Sequence, residues 1–522
     1  MIFPVAYSAK LAESGSKHLA LYQAIREAIM EGKLSPQEKL PSTRQLAALF
    51  GLSRGSVSLA YEMLAAEGFV QAGVGQGTFV AGWEDEEHTA NKIHSGDEQA
   101  NVSLAAPALT AWGRRLMELQ AAVTPLSAVN IIARNQQSSR PEPISFVPNG
   151  VGMKWFPWME WKAEVGAQWK RFGESWEIES DSTEGSLQLR QAIANRLRRE
   201  RGITCDAEDI VITAGSMQAI TLLTQLLLEE GKTAVIENPC YTGIKRAIQA
   251  TGASFIAQGV DGQGIVPQDW DAQLLFVTPT RQFPTGAVLS YERRRALLSW
   301  ASRRNGWIVE DDFDSDFRWG GRPIEPLKAL DREGRVVYVG TFSRSMCTGV
   351  RIGYAVAPKE LVQPLILAKK LYDPFPSGIA EQQALASWMS EGGYDRHMRR
   401  MRRVYGKLEG KLRTGLERDL AGLFEVNASD AGLHLYAKWK KSNDEYRQLV
   451  EECGRRGVLW KDGEGYTVYE RHDSNPHVPS ALFSFAHLDE GEIDVGLNLI
   501  REAAESISLI DSSRGQGGTV HA

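Results

Sequence analysis

The 522-residue chain is poor in cysteine. Its four cysteines, Cys205, Cys240, Cys347 and Cys453, lie far apart and include no C-x-x-C pair. That removes the spacing a zinc site or a disulfide framework needs, and it fits a reducing compartment. No metal site is expected. Long apolar runs are missing too. Nothing approaches the roughly 20 consecutive apolar residues that cross a bilayer, and the N-terminus MIFPVAYSAKLAESGS lacks the charged-then-apolar order of a targeting signal. A cytoplasmic protein with no membrane partner is expected. An excess of positive charge is also absent: a formal net charge of −6 excludes a polycation that coats nucleic acid along its whole length. There is no internal repeat. What the chain does have is 43% apolar residues, enough at this length for a large core and more than one domain.

Its character changes along its length. Residues 1–81 read as one compact unit. Residues 82–140 read as a linker: GWEDEEHTANKIHSGDEQ is polar and acidic with no apolar period, and LTAWGRRLMELQAAV has the pattern of one short helix. Over 141–510 the runs DIVITAG, TAVIENP, QLLFVTPT, GWIVEDD and RVVYVGTF alternate with amphipathic stretches. That alternation predicts an α/β unit with a mostly parallel sheet and helices on both faces. Residues 511–522, DSSRGQGGTVHA, read as a disordered tail. The basic run RHMRRMRRVYGKLEGKLR (396–413) reads as the solvated face of a helix, and Trp155, Trp158 and Trp161 as packing residues.

Within the first unit, Leu21, Ile25 and Ile29 recur at four-residue spacing, one face of a helix. Ser42 followed by Gln45 is a capping-box signature, so a second helix starts near Thr43, with Leu46, Leu49 and Phe50 as its apolar face and Gly51 as its end. Ser53 caps the next helix, whose Val57, Ala60, Tyr61 and Leu64 face inward. Helix, tight glycine turn, helix is the helix-turn-helix arrangement, and FVQAGVGQGTFVA follows as a glycine-tipped hairpin, a small β wing. In this geometry Arg54, Ser56 and Ser58 face the major groove, and the Ser53 hydroxyl serves the cap or a phosphate. Arg44 near a helix start suits a phosphate. Gly75, Gln76 and Gly77 place the wing backbone at the minor groove. Seven Lys/Arg against six Asp/Glu over residues 1–81 decide nothing; the pattern does. The stretches LYQAIREAIMEGKLSPQEKLPSTRQLA, LSRGSVSLAYEMLAAEGFV and GQGTFVA resemble the winged helix-turn-helix of the GntR superfamily, which implies binding to a double-stranded DNA operator.

A second resemblance covers the large unit. EGSLQLRQAIANRLRRERGITCDAEDIVITAGSMQAI, ENPCYTGIKRA, VTPTRQFPTGAVLS, VEDDFDSDFRW and GTFSRSMCTGVRIGYAV occur in this order and look like a fold-type-I, pyridoxal-phosphate-dependent aminotransferase domain, with a smaller C-terminal α+β subdomain. A GntR head before such a domain resembles the MocR/GabR-type transcriptional regulators. The resemblance implies a homodimer that senses a small-molecule effector. It also implies roles for single residues. Gly215, Ser216 and Met217 would turn N–H groups toward the cofactor phosphate at a helix start, and Thr341 and Arg351 match the rest of the phosphate cup. Tyr241 matches the ring that stacks on the pyridine, and Asp311 the partner of the pyridine nitrogen. Plainer readings of the same residues stay open: a strand-to-helix turn, a core tyrosine, a strand-end carboxylate, a surface ion pair.

The pattern breaks at one point. Arg344 stands where the family has its Schiff-base lysine. A Schiff base needs a primary amine that can shed its proton, and a guanidinium stays protonated, with a pKa above about 12. No catalytic residue is therefore assigned, and pyridoxal phosphate, if held, is held non-covalently. Other departures fall in the same pocket: Phe313 for a tyrosine, Arg281 for a histidine, Ser180 for an aromatic residue of the neighbouring subunit, and Leu482 for the arginine that holds a substrate carboxylate. Arg344 would pair with Asp311 or with a bound anion. The competing reading is a working aminotransferase with an attached DNA-binding head, its lysine supplied by Lys245, Lys369 or Lys370.

Overall fold

The computed structural model describes residues 6–73, 76–82, 109–121, 143–148, 150–174, 182–319, 324–468 and 478–510. Residues 1–106 and 107–522 form two compact units. Gly75, Ser180, the 511–522 tail and most of the 82–140 linker lie outside the described residues.

The described residues of the smaller unit form four helices and a hairpin: α1 (Tyr7–Ser14), α2 (Lys17–Met30), α3 (Thr43–Phe50), α4 (Arg54–Ala66), β1 (Val70–Gly73) and β2 (Gly77–Val80). Ser42 and Gln45 close the expected capping box at α3, and Gly51 ends that helix at φ +64°. The left-handed region costs glycine nothing, which makes the turn into α4 tight. Val57, Ala60, Tyr61 and Leu64 are the buried face of α4, as their spacing predicts. One position differs. Leu49 is exposed, and Ala47 joins Leu46 on the buried face of α3. The small alanine lets α3 lie close to its neighbours, and Leu49 is turned outward. β1 and β2 pair antiparallel, with Gly73 opposite Gly77 at the tip.

In the larger unit α5 (Ala111–Ala121) comes first, from within the stretch read as linker. It lies on a helix of this unit, where Arg115 Nε donates to Ala250 O at 3.0 Å. Next come β3 (Ile144–Ser145), α6 (Trp158–Glu174) and α7 (Leu187–Arg201). The main sheet is then built from β4 (Ile210–Thr213), α8 (Ser216–Leu227), β5 (Thr233–Asn238), α9 (Thr242–Thr251), β6 (Ser254–Asp261), β7 (Gly264–Ile265), β8 (Leu274–Val277), α10 (Tyr291–Arg304), β9 (Trp307–Asp312), α11 (Leu327–Leu330), β10 (Val336–Thr341) and β11 (Gly353–Val356). Its eight strands run in the order β4-β11-β10-β9-β8-β5-β6-β7. From β10 through β9, β8 and β5 to β6 the pairs are parallel, while β11 is antiparallel to both its neighbours and β7 is antiparallel to β6. Strands such as β4 and β8 are buried at every position, which is why they read as unbroken apolar runs rather than alternating ones.

After α12 (Lys359–Tyr372), α13 (Ile379–Ser390) and α14 (Gly393–Asp419) come the elements of the C-terminal subdomain. These are β12 (Phe424–Val426), β13 (His434–Trp439), α15 (Asn443–Arg456), β14 (Val458–Leu459), β15 (Lys461–Asp462), β16 (Ser480–Ser484) and α16 (Glu490–Ser506). A four-stranded sheet, β12-β13-β16-β15, with antiparallel pairs carries this α+β subdomain. The basic run lies on α14, whose Met398, Met401, Tyr405, Leu408 and Leu412 are buried. Its Lys407 and Lys411 pair with Glu490 and Asp494, while Arg402 and Arg413 donate to backbone carbonyls of Asp316, Asn427 and Ser429. Trp161 is buried against Phe156 and Trp388. All four cysteines are free and buried. Among the described residues no helix is long and apolar enough to cross a membrane, and no metal-ligating cluster occurs.

Candidate functional site

The start of α4 follows from its cap. Ser53 Oγ accepts from Ser56 N at 3.1 Å and meets Ser56 Oγ at 2.8 Å, so this hydroxyl serves the helix. Ser58 Oγ donates to Glu62 Oε1 at 3.2 Å. Arg44 and Arg54 are exposed and, among the described residues, paired with no carboxylate. At the wing tip Gln76 and Gly77 are exposed, and Gln76 N donates to Gly73 O at 3.0 Å. Unpaired guanidiniums at two adjoining helix starts could each meet a phosphate or a base edge. The Arg44→Ala variant is therefore expected to weaken binding evenly across DNA sequences and to flatten the salt dependence by about one counterion. Titrations of operator and random duplex at several salt concentrations check this; an unchanged slope would remove Arg44 from the phosphate contacts.

The second site forms at the carboxyl ends of β4, β9 and β10. Where β4 turns into α8, Gly215 has φ +88°. Gly353 of β11 approaches so closely that a Cβ there would stand 2.5 Å from the Gly215 carbonyl carbon and 2.8 Å from Ser216 N. Arg351, itself left-handed at φ +50°, lays its guanidinium over Gly215 and donates from Nη2 to Ala214 O at 2.9 Å. The structure thus brings Gly215, Ser216 and Arg351 into one cradle at the N-terminus of α8. The Met217 side chain and the Tyr241 ring crowd Gly243, where a Cβ would be 2.5 Å from the ring and 2.8 Å from Met217 Sδ. Tyr241 caps α9 and is 39% exposed, its ring edge-on to Phe283 at 5.9 Å. Thr341 ends β10; its hydroxyl accepts from Ser343 N at 3.1 Å.

Asp311, near the end of β9, is buried, and its Oδ1 has no hydrogen-bond partner. Burial pushes its carboxyl up to about 7; Asp312, Asp314 and Glu237 add to the rise and Arg344 opposes it. Glu237 is likewise pushed up to about 7 by burial, against hydrogen bonds from Thr278 and Gln282. Arg344 is half-buried and shares the lining of a cavity of about 20 Å³ with Thr341, Asp312 and Asp314. That space suits a single water. The expected pair with Asp311 does not form, because among the described residues the Arg344 guanidinium meets no carboxylate. Arg281 behaves differently. It is buried and spent inside the protein, donating to Ala431 O (2.9 Å), Asp314 Oδ2 (3.2 Å) and His434 O (2.9 Å). It ties the β8 loop to the C-terminal subdomain, and beside it His434 is held far below the usual imidazole range by burial and the Arg281 charge. Phe313 and Tyr466 pack edge-on against Phe283 at 5.4 and 5.0 Å.

Some of the supporting groups lie within the quoted stretches but were given no role there. Arg201 pairs with Asp312 (3.4 Å) and Asp316 (3.1 Å), Arg196 pairs with Asp316 (2.9 Å), and Tyr338 donates to Asp312 at 2.6 Å. These bonds pin the chain on either side of Phe313. The signal was present as opposite charge, RLRRERG against DDFDSD, but pairing across more than a hundred residues is a tertiary fact. None of the alternative lysines stands at the β10 strand end that carries Arg344. Lys369 is buried and bonded to Thr183 O and Asp373, and Lys370 is exposed on α12. Lys245 sits half-buried on α9.

A helix-turn-helix with an unpaired arginine at each of its two helix starts, and a large unit built as an α/β sheet with a buried carboxyl and an anion cradle at its strand ends, define a DNA-binding protein with an aminotransferase-like domain. Residues 17–80 match the gntR family of bacterial regulatory proteins, and residues 179–498 match aminotransferase class I and II. The chain is 31% identical over 495 residues to the probable rhizopine catabolism regulatory protein MocR of Rhizobium meliloti, covering 93% of each chain. It is 29% identical over 443 residues to the pyridoxine biosynthesis transcriptional regulator PdxR of Corynebacterium glutamicum, covering 84% of this chain and 86% of that one. The fold is similar to that of Pyrococcus horikoshii kynurenine aminotransferase, at TM-score 0.65 and 24% identity over 74% of this chain and 96% of that one. The chain belongs to the MocR/GabR-type transcriptional regulators, in which a GntR-family helix-turn-helix is joined to an aminotransferase class I and II domain.

The aminotransferase class I and II fold family depends on pyridoxal phosphate, and the residues present fit that group. The orphaned Asp311 Oδ1 suits a ring nitrogen, the cradle suits a phosphate, and the Tyr241 ring is open enough to stack. When bound, the cofactor would supply an electron-withdrawing ring; this chain supplies the groups that hold and orient it.

Proposed function

We propose that the large unit is the sensor of this regulator. It holds pyridoxal phosphate or a close relative without a covalent bond, and occupancy changes the affinity of the helix-turn-helix unit for its operator. The observation that carries this reading is the buried, unpartnered Asp311 Oδ1 in a pocket whose amine position is Arg344. A buried acceptor without a partner is costly unless a ligand satisfies it, and a guanidinium cannot take part in imine chemistry. Transamination is therefore not expected of this chain: Lys369 is bonded to Thr183 O and Asp373, and Lys370 and Lys245 lie on α12 and α9 rather than at position 344.

Isothermal titration with pyridoxal phosphate is expected to show saturable binding, and borohydride treatment of the saturated protein to leave its mass unchanged. A borohydride-fixed adduct on any lysine of the pocket, or turnover of an amino donor with a keto acid, would sink the reading in favour of an enzyme. Operator titrations with and without ligand then read the coupling, which by linkage must act equally in both directions.

The sensor works as a homodimer in this reading. Leu367 and Leu371 lie one turn apart on α12 at 61% and 82% exposure, and Tyr372 and Phe375 beside them are each 65% exposed. An apolar run of that kind is what a protein interface covers. Sedimentation of the wild type is expected to give a dimer and of the Leu371→Asp variant a monomer; a monomeric wild type overturns the assignment.

A further inference from the structure

Helix α4 of the smaller unit carries one side chain that neither its packing nor its cap explains. Val57, Ala60, Tyr61 and Leu64 fill the core, and the Ser53 and Ser56 hydroxyls meet each other at the helix start. The opposite face is the row Gly55, Ser58, Leu59 and Glu62, in which each residue follows the first by three, four or seven positions. At about 1.5 Å per residue the row is about 10 Å long, close to three base pairs at about 3.4 Å each. A helix lying in a major groove reads base edges with residues at this spacing.

The row holds no cation. Gly55 leaves the helix start open, since an added Cβ there would lie 3.9 Å from Ser53 Oγ, an ordinary contact distance. Ser58 donates its hydroxyl to Glu62 at 3.2 Å. Leu59 is the one apolar member, and it is 42% exposed. Its neighbours on that face are small or polar, so the patch is too small for a protein interface. The longer apolar run around Leu371 on α12 is the contrast.

An exposed leucine contributes nothing to the free fold. In a major groove its surroundings are polar except at one kind of site. Every base pair presents donors and acceptors there, and thymine adds an apolar group, its C5 methyl. Leucine set against that methyl removes apolar surface from water on both sides. Set against cytosine, adenine or guanine, it strips water from an amino group or a carbonyl and offers no bond in return. Attraction to one base and a penalty on the others act in the same direction.

We propose that Leu59 reads thymine, through its methyl group, at one position of each DNA site that α4 occupies. The proposal rests on the reading of α4 as the helix that enters the major groove. It deepens that reading by naming a side chain and a base group that set sequence preference.

The test starts with the full chain selecting its duplex from a random-sequence pool. Each thymine of the selected duplex is then replaced in turn by uracil, which differs only in lacking the methyl. Wild type is expected to lose about 3- to 5-fold in affinity at one thymine per α4 contact, the worth of one buried methyl. Leu59→Ala is expected to bind the thymine and uracil duplexes alike at that position, and Leu59→Met to keep part of the difference. Leu49→Ala, which removes the exposed leucine of α3, is expected to give the wild-type scan. An unshifted melting curve establishes that each variant is folded. A wild type indifferent to uracil at every thymine overturns the proposal, and so does a uracil penalty that survives in full in Leu59→Ala. A Leu59→Ala variant that keeps the penalty but changes its sedimentation assigns the leucine to a contact between proteins, which overturns it as well. All three outcomes leave the operator reading intact. Failure of the full chain to select any sequence overturns both.

Discussion

The Arg344→Lys variant is expected to become covalently labelled by pyridoxal phosphate, where the wild type is not. Borohydride should fix one cofactor per chain on the amine introduced at position 344, visible as a single mass increase and as one modified peptide. The reasoning is local. The Asp311 carboxyl feels the charge at position 344, and the Gly215–Ser216–Arg351 cradle and the partly open Tyr241 ring remain in the fold. Removing the guanidinium breaks no ion pair, since it forms none among the described residues. A lysine there keeps a positive charge, and it can lose its proton, because burial lowers a lysine pKa. The effect is all or none, so mass spectrometry decides it. An unlabelled variant that still binds the cofactor would mean that the pocket has been remodelled beyond position 344, with Phe313 and Arg281 the first places to look.

The Asp311→Asn variant is expected to have opposite effects on the free and the liganded protein. In the free fold Asp311 is pushed from 3.8 up to about 7. Below about pH 4 the group is protonated in both folded and unfolded chains, and burial carries no ionisation penalty. Between about 4 and 7 the unfolded chain loses the proton while the folded chain keeps it, so stability falls as pH rises; above about 7 the loss is complete. An amide does not ionise. The variant should therefore be more stable than the wild type at pH 8, by at most about 4 kcal/mol for a shift of this size, and the gap should close toward pH 4. Its affinity for pyridoxal phosphate should drop, because the amide lacks the charge that favours a protonated ring nitrogen. Denaturant melts across pH and a matched titration check both halves. A pH-independent stability difference would show that Asp311 is ionised in the free fold, with Arg344 outweighing burial.

The two resemblances were legible because each is carried by residues close together in sequence. Ser42 with Gln45, Gly51, and Ser53 with the Val57–Leu64 face specify the α3–α4 turn within about twenty residues, and caps and helix period are local physics. The buried strands were equally plain as apolar runs. Leu49 was misplaced because helical spacing names a wide stripe, whereas the neighbours of α3 decide which edge of it is covered. Arg344 was visible as an anomaly, but its imagined pair with Asp311 was not made. Nor could any local pattern show that Arg201 and Arg196 would be spent on Asp312 and Asp316, or Arg281 on Asp314 and His434.

The sequence by itself determined the two-part architecture, the capped starts of α3 and α4, and the absence of an amine at position 344. These follow from residue type and short-range spacing. Only the tertiary structure decided which charges are satisfied. Arg281, Arg344 and Arg351 are three arginines of one pocket in the sequence, and in the fold one is buried and fully bonded, one lies over a helix start, and one is left without a partner. Whether a charge is free depends on what lies within a few ångströms of it, and in this chain those neighbours come from segments between about thirty and a hundred and fifty residues away.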